Sequence, residues 1–428
     1  MFDVDISRFR WLLRCARGLV FGWLGLVAQA AVADVLYIGD WFDSSVQSYD
    51  ADTGAYLGAF VSTGSGGILG INGLIFDQNH DLLAVNQNVA TIYSGAVLRY
   101  SGSTGAYLGP LVSQNDPNAP WAPRGMVLGK DGKLYVADMG EVDAPPPGYI
   151  DRYNATTGAF IDRLTAPGLP VTFQPRGMVF GPDGLLYVTN FEDYPSTGTG
   201  QAGLGSILRF DPTTGAYLGQ FVNRDGSSGG PPLMSPEGLV FGPNGDLYAL
   251  SLGDTVPGNA HDDYIIRYNG QTGAYVSSID IGTAINSRLA AALLFGPDGK
   301  LYVPMSNTGE VRRYDVNTGT YTSFIAPGGP LKNPWFLTFG NTDSATLGYV
   351  PEPSTWAPAV SGNWSDPTKW TGGVPGGVGA TALFNVPTFT PRDDHAGQRP
   401  DRRRPGTGQF SQQHRGLHAQ RRQRPDLE

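Results

Sequence analysis

Cysteine is nearly absent from this 428-residue chain, which contains one, Cys15. Cys15 lies in an N-terminal segment that we predict to be a secretory signal peptide. A mature chain without it would have no disulfide bond, no cysteine-based metal site and no thiol chemistry. Its stability would come instead from a large hydrophobic core and from closure of its sheets.

Basic residues are scarce in the body of the chain. The chain has 29 Lys and Arg against 38 Asp and Glu; residues 1–33 hold four Arg and two Asp, and residues 391–428 hold nine Arg and five acids. Subtracting both ends leaves 16 basic and 31 acidic residues in 34–390, a net charge of −15. Because nucleic-acid binding depends on cationic contacts with phosphate, we expect no nucleic-acid partner.

Long apolar runs are also missing. One short run, residues 18–28, follows four arginines and precedes small residues that allow cleavage after Ala30 or Ala33. Eleven residues are too few to cross a hydrocarbon core of about 30 Å as a helix. We therefore predict that residues 1–33 are a signal peptide and that the protein is exported to the periplasm, the cell surface or the medium. We expect no transmembrane helix in the mature chain.

Glycine (60) and proline (33) are abundant, and they separate short strand-like segments. One motif runs Tyr-Asp-Ala-Asp-Thr-Gly-Ala-Tyr from Tyr49, and its six copies start at Tyr49, Tyr100, Tyr153, Phe210, Tyr268 and Tyr314. A second motif runs Gly-Met-Val-Phe-Gly-Pro-Asp-Gly-Leu-Leu-Tyr-Val from Gly177, and its six copies start at Gly73, Gly125, Gly177, Gly238, Ala292 and Phe336. Six repeats of about fifty residues indicate a repeat architecture.

Each repeat predicts four strands, which we call a, b, c and d, joined by tight hairpin turns. Pro presets the turn in Gly-Pro-Asp-Gly, and Gly takes the left-handed position there and in Asp-x-x-Thr-Gly. The chain after residue 33 begins with b, c and d and ends with a lone a strand at residues 336–339. We therefore predict an all-β, six-bladed β-propeller at residues 34–345, closed when that C-terminal strand pairs with the N-terminal b-c-d strands.

The Pro-Arg-Gly-Met-Val-Phe-Gly-Pro-Asp-Gly-Leu-Leu-Tyr-Val unit at residues 175–188 carries a family resemblance. Over residues 34–340 the chain resembles NHL-repeat propellers, and more loosely the six-bladed streptogramin-lyase and gluconolactonase-like groups. The resemblance implies the fold, and implies little about function because propellers host many unrelated activities.

The C-terminal end divides into three predicted segments. Residues 346–361 form a Pro-rich linker, and residues 350–355 (Val-Pro-Glu-Pro-Ser-Thr) resemble the PEP-CTERM sorting signal of exported bacterial proteins, without the apolar helix that normally follows it. Residues 362–390 resemble a fragment of a passenger-type surface β-repeat. Residues 391–428 form an Arg-rich tail that is either disordered or the product of a shifted reading frame.

The propeller topology predicts where a site would lie. The a–b and c–d turns share one face (the turn face), and the b–c and d–a connections share the other (the loop face). The connections of most variable length lie on the loop face, at residues 139–148, 191–205, 223–237 and 252–263. Functional residues concentrate on such variable loops, so we expect the site at that end of the channel.

Two rings of side chains are expected there. The first ring, just before each strand a, is Asn72, Arg124, Arg176, Glu237, Ala291 and Trp335. The second ring, just after each strand b, is Asp40, Asn86, Asp138, Asn190, Ser251 and Met305. The rings predict either mutual pairing with strand ends or a polar pocket in which arginine holds a carboxylate or sugar hydroxyls.

Two functions follow from these rings, and a purely structural matrix role stays open beside them. The first is a non-catalytic binding module for an extracellular protein, glycan or small molecule, acting as a monomer; the chain has no recognisable nucleophile motif, zinc spacing or phosphate loop. The second is a lactonase-like or streptogramin-lyase-like enzyme. The lactonase resemblance implies Ca²⁺ or Mg²⁺ bound by Glu237, Asn190 and Asp138, although two neighbouring arginines oppose cation binding.

Overall fold

A computed structural model describes residues 34–88, 94–140, 147–191, 203–224, 226–252, 262–283 and 290–350, with short stretches at 354–356, 369–371 and 382–383. The predicted signal peptide (1–33) and the Arg-rich tail (391–428) lie outside these residues. So do residues 351–353 of the predicted sorting motif, most of the predicted surface-repeat fragment, and the middles of the variable loops 139–148, 191–205 and 252–263. No described helix is long and apolar enough to cross a membrane.

Six four-stranded antiparallel sheets form the blades of a β-propeller, as predicted. Blade 1 is completed by the last strand, β24, and the other blades follow chain order. The strands are β1 Val35–Asp40, β2 Ser45–Asp50, β3 Tyr56–Val61, β4 Ile71–Phe76, β5 Leu82–Asn86, β6 Ala96–Tyr100, β7 Tyr107–Val112, β8 Pro123–Leu128, β9 Lys133–Asp138, β10 Tyr149–Asn154, β11 Phe160–Leu164, β12 Pro175–Phe180, β13 Leu186–Asn190, β14 Ser206–Phe210, β15 Tyr217–Val222, β16 Leu239–Phe241, β17 Leu247–Ser251, β18 Asp262–Tyr268, β19 Tyr275–Thr283, β20 Leu294–Phe295, β21 Leu301–Met305, β22 Glu310–Tyr314, β23 Tyr321–Ile325 and β24 Pro334–Phe339.

The hairpin turns use the chemistry that the motifs predict. In the β2–β3 turn, Asp50 accepts hydrogen bonds from the N–H and hydroxyl of Thr53, at 2.8 and 2.6 Å, and Gly54 has φ 72°. In the β12–β13 turn, Asp183 accepts a hydrogen bond from the N–H of Leu185, and Gly184 has φ 80°. These local contacts fix the start of each following strand, and therefore its register.

The ring is closed as the order of the motifs predicted. β24 pairs antiparallel with β1, which places Leu36 opposite Phe339 and Ile38 opposite Leu337. Blade 1 therefore joins the two ends of the propeller, and β24 supplies its inner strand.

Aromatic side chains link neighbouring blades at five of the six blade boundaries. A strand b tyrosine packs edge-on against a strand a phenylalanine of the following blade, with ring centroids 5.0–5.3 Å apart. The pairs are Tyr37–Phe76, Tyr135–Phe180, Tyr187–Phe241, Tyr248–Phe295 and Tyr302–Phe339. The last pair joins blade 6 to blade 1, so this contact also closes the ring.

The inner strands approach closely where the second motif carries glycine. A Cβ atom at Gly125 would lie 2.6 Å from the carbonyl oxygen of Arg176, and one at Gly177 would lie 2.5 Å from that of Glu237. The repeated glycine therefore allows the strands around the channel to pack backbone to backbone.

Residues 341–350 cross the turn-face end of the channel; we call them the plug. The plug carbonyl oxygens of Ser344 and Ala345 accept hydrogen bonds from the N–H groups of Leu128 and Phe180, at 2.8 and 3.0 Å. Leu347, with φ 53°, packs against core residues of most blades. Residues 346–350, predicted as linker, therefore pack with the propeller.

A small three-stranded sheet lies further along the chain. Its strands are β25 Ser354–Trp356, β26 Trp370–Thr371 and β27 Ala382–Leu383, with β25 in the centre. β25 pairs antiparallel with β26 and parallel with β27. End residues of the sorting-like motif thus pair with strands of the predicted surface-repeat fragment; both segment assignments stay predictions.

Candidate functional site

The second ring holds the loops that lead into strands a. The Asp138 carboxylate accepts hydrogen bonds from the backbone N–H groups of Trp121, Ala122 and Gly140, at 2.6, 2.8 and 3.1 Å. Asp40 accepts hydrogen bonds from the N–H groups of Lys332 and Asn333 at 2.5–3.2 Å. Both carboxylates are fully buried, and burial raises the pKa of Asp138 while the N–H contacts partly offset this.

The neutral polar members of this ring also accept hydrogen bonds from backbone N–H groups. Asn86 Oδ1 accepts a hydrogen bond from the N–H of Leu69 at 2.8 Å, and Asn190 Oδ1 accepts one from Gln174 at 2.7 Å. Ser251 Oγ accepts one from Met234 at 2.9 Å. Each blade with a polar residue here thus ties its own d–a loop to the end of strand b, which gives the second ring a structural role.

The first ring forms two separate networks at the loop-face mouth. In one, Arg124 donates to Asn72 Oδ1 at 3.2 Å across the boundary between blades 3 and 2, and Asn72 donates to Gln87 Oε1 at 2.8 Å. Arg124 also contacts the Met139 sulphur at 3.3 Å. Asn72 is buried, whereas Arg124 and Gln87 are partly exposed.

The other network is a buried ion pair. Arg176 lies 3.5 Å from Glu237 of the next blade, and its guanidinium stacks 3.9 Å from the centre of the Phe191 ring. Both charged side chains are less than a tenth exposed, and Arg176 Nε has no hydrogen-bond partner among the described residues. A buried pair of this kind contributes more to specificity of packing than to net stability.

Blade 1 supplies an aromatic group to the mouth. The rings of Trp41 and Trp335 lie 6.2 Å apart at 37°, and both are partly exposed. Next to them Phe42 is 75% exposed, the most exposed large apolar side chain in the described part of the chain. The first ring's sixth member, Ala291, is buried and offers no polar group.

A third ring was missed by the sequence analysis. It lies one residue beyond the second ring and supplies partners for the first: Trp41 for Trp335, Gln87 for Asn72, Met139 for Arg124 and Phe191 for Arg176. Its remaining members are Leu252 and Ser306. The constant offset from the end of strand b was the available signal, but these residues share no chemical type, so no motif marked them.

A small cavity lies in the channel between the first ring and the plug. This cavity of about 30 Å³, room for roughly one or two water molecules, lies among strand a residues of all six blades and Leu347 of the plug. A ligand larger than this would have to sit at the loop-face mouth and not inside the channel.

The predicted cation ligands do not form a fitting site. The Asp138 oxygens already accept three N–H groups, Asn190 Oδ1 accepts another, and Glu237 faces Arg176. No cluster of three or more His, Cys, Asp or Glu side chains suited to a metal occurs in the part of the chain that the structure describes. Hard cations require several uncommitted oxygens, and these three residues do not provide them.

No protein-family model matches the chain, and no curated protein matches it. Solved structures are similar at the level of the fold. A chain of a nidogen/laminin complex is 15% identical (TM-score 0.49), covering 72% of this chain and 98% of that one. A protein of unknown function from Bacteroides caccae is 14% identical (TM-score 0.47), covering 72% and 98%. Virginiamycin B lyase from Staphylococcus aureus, in a complex with quinupristin, is 16% identical (TM-score 0.45), covering 71% and 87%. These values say nothing about a shared ligand or reaction.

Proposed function

We propose that this protein is an exported, non-catalytic binding module that holds its ligand at the loop-face mouth of the propeller. One observation carries the proposal: the loop face presents the exposed ring of Phe42 together with four partly exposed side chains, those of Trp41, Trp335, Gln87 and Arg124. The plug occupies the opposite end of the channel. Large exposed apolar groups beside hydrogen-bonding groups are typical of a recognition surface.

The chemistry of the mouth supports binding over catalysis. The carboxylates of Asp40 and Asp138 are held by backbone N–H groups, and Glu237 is paired with Arg176, so none of them is placed as a general base. The one histidine among the described residues, His80, lies in the β4–β5 turn and stacks on Phe76. The streptogramin-lyase resemblance implies a channel histidine, and this side chain lies on the turn face.

Export enters the proposal through residues 1–33, whose basic region, apolar run and small residues match a signal peptide. The acidic body and the lack of cysteine after Cys15 are compatible with that location. Mass spectrometry of the protein recovered from the producing cell tests it: an N-terminus at Ala31 or Asp34 supports export, and an intact Met1 in the cytoplasm contradicts it.

Binding at the mouth is tested by presenting the full chain to arrays of glycans, peptides and small carboxylates. The loop-face variant is Phe42→Ala, whose exposure makes misfolding unexpected. The control is Tyr321→Ala, an aromatic residue 48% exposed on an outer strand. A ligand lost by the first variant and kept by the second supports the proposal. The reverse pattern, or recovery of a chemically altered ligand, contradicts it.

The metal-dependent enzyme stays a prediction with its own test. Wild-type protein and Glu237→Ala are titrated calorimetrically with Ca²⁺ and Mg²⁺. Tight binding that the variant loses would restore the lactonase-like hypothesis and make lactone and ester substrates the next assay. Equal weak heats in both proteins would remove it.

A further inference from the structure

Resting on that proposed function, we infer that the arc of the mouth formed by blades 1, 2 and 3 is a binding site for an uncharged glycan. The arc comprises Trp41, Phe42 and Trp335 of blade 1, Asn72 and Gln87 of blade 2, and Arg124 of blade 3. Its two halves offer the two kinds of contact that a pyranose ring requires: an aromatic surface for its C–H face, and donors and acceptors for its hydroxyl groups.

The aromatic half is Trp41, Phe42 and Trp335. Phe42 is 75% exposed and the two tryptophans are only partly covered, so this apolar area is left facing solvent at the mouth. Rings that lie between blades, such as Tyr135 and Tyr187, are buried, and the exposed tyrosines of the outer strands, such as Tyr321 at 48%, are less exposed than Phe42. The exposed Phe42 ring and the partly exposed tryptophan pair leave apolar area on the loop face of blade 1, and a flat, partly apolar sugar face is a suitable partner for it.

The hydrogen-bonding half lies on blades 2 and 3, which follow blade 1 around the ring. Gln87, Asn72 and Arg124 are joined in one chain by contacts of 2.8 and 3.2 Å. Buried Asn72 joins the two partly exposed members, Gln87 and Arg124, whose amide and guanidinium groups are of the kind that hydrogen-bonds sugar hydroxyls. Because these hydrogen bonds already orient the side chains, ligand binding would cost little side-chain entropy.

A second polar group points to the same arc. Asn333 precedes Trp335 by two residues, and its backbone N–H is held by Asp40. Its side-chain nitrogen donates to the Ser306 carbonyl at 3.2 Å, while its Oδ1 is buried and has no hydrogen-bond partner among the described residues. This buried acceptor, in the loop that leads into Trp335, is a polar group whose partner the described residues do not supply.

Charge selects the class of glycan. Residues 34–390 carry a net charge of −15, which repels a polyanionic chain at long range. At the mouth itself, Arg124 contacts an amide oxygen and a thioether, and the charge of Arg176 is balanced by Glu237. Long-range repulsion by the acidic body therefore favours a neutral chain over a polyuronate, and Arg124 serves the arc as a hydrogen-bond donor.

The test is calorimetric titration of the full chain with neutral hexasaccharides: cellohexaose, maltohexaose, mannohexaose and chitohexaose, with polygalacturonate as the acidic comparison. We expect at least one neutral hexasaccharide to bind with an affinity that is unchanged between 0.1 and 0.5 M NaCl. Trp335→Ala and Gln87→Ala should each weaken binding by about tenfold or more. Phe42→Ala covers the case in which Trp335→Ala fails to fold, and Tyr321→Ala should bind as wild type.

Two outcomes overturn this inference and leave the proposed function standing. One is binding of polygalacturonate alone, lost at high salt. The other is binding of a peptide or small molecule that depends on Phe42, with no hexasaccharide bound. Absence of any ligand that depends on Phe42 overturns both. Equal hexasaccharide affinity in wild type and all mouth variants also overturns the inference, because it places the sugar elsewhere.

Discussion

Asp151 of β10 is a carboxyl group on which burial and pairing act in opposite directions. It is fully buried, accepts a hydrogen bond from Arg163 Nε at 2.7 Å, and lies near Asp138 and the hydroxyl of Tyr153. Burial, followed by the charge of Asp138, raises the pKa of Asp151 to about 7, and Arg163 only partly opposes this. Folding therefore favours the protonated form of a group that is ionised in the unfolded chain above about pH 4.

The pH dependence follows from that sign. Because the folded-state pKa of Asp151 is raised, the titration of Asp151 does not change the free energy of unfolding below about pH 4. As the pH rises from there towards about 7, the titration lowers the free energy of unfolding. Asp151→Asn should therefore gain stability relative to wild type between pH 5 and pH 8, by about 2 kcal/mol. Urea unfolding at both pH values measures it, with the exposed Asp52→Asn as the control. A difference that stays constant or shrinks with pH contradicts the account.

Gly177 lies within strand β12, and a side chain there is excluded by the close approach of the next blade, not by a turn conformation. Gly177→Ala should destabilise the protein by about 3 kcal/mol, because the added Cβ would lie 2.5 Å from the Glu237 carbonyl oxygen and 3.0 Å from Leu239. Gly329→Ala is the matched control, since its nearest neighbour would be 3.9 Å away. Chemical denaturation compares them; equal stability of the two variants would show that the inner strands can separate freely.

At the scale of the element, repetition decided what could be predicted. Turns and strands recur six times, so a single copy such as Asp50 to Gly54 revealed all of them. The plug occurs once and has no repeat to reveal it. Its position depends on hydrogen bonds to Leu128 and Phe180, far away in sequence, and on Leu347 entering the channel end. Local patterns carry no information about such contacts.

The plug makes a prediction at this scale. Leu347→Ala should cost about 2 kcal/mol, since the side chain packs against several blades at once. Val350→Ala, 45% exposed at the end of the same segment, should be nearly neutral. Thermal unfolding of both variants tests it, and a Leu347→Ala protein as stable as wild type would show that residues 341–350 rest on the propeller without stabilising it.

The outer strands show how the propeller treats its exposed edges. The pairing of strands c and d is interrupted by a register shift in each blade, as at Arg209 and Phe210 in blade 4. Gly219, with φ 102°, lies in the outer strand of that blade. Such bulges bend an edge away from regular pairing, which protects six outward-facing strands from association with other chains.

For the whole molecule, the order of the strand motifs predicted the closure that the structure shows, because strand b comes first and strand a last. The candidate site was predictable only in part. The positions of the first and second rings followed from the repeat, but the contacts that their side chains make did not. Asp138 and Asn190 bind backbone, whereas Trp41 and Gln87, at positions without a shared residue type, complete the mouth.

Closure itself should determine whether the chain folds. A chain ending at residue 350 keeps β24 and the plug and should unfold cooperatively, as the full chain does. A chain ending at residue 333 leaves β1 without its inner neighbour and should aggregate or lose cooperativity. Calorimetry with light scattering distinguishes them; a soluble, cooperative 333-residue chain would mean that the ring closes without this strand.

Hydrogen exchange measures directly whether the ligand contacts the loop-face mouth, as we propose. The full chain is compared with and without the best-binding neutral hexasaccharide. We predict slower exchange in the mouth segments around Trp41, Gln87 and Trp335, and no change in the outer strands β3, β7, β11, β15, β19 and β23. Protection confined to the outer strands or to the turn face would contradict the account.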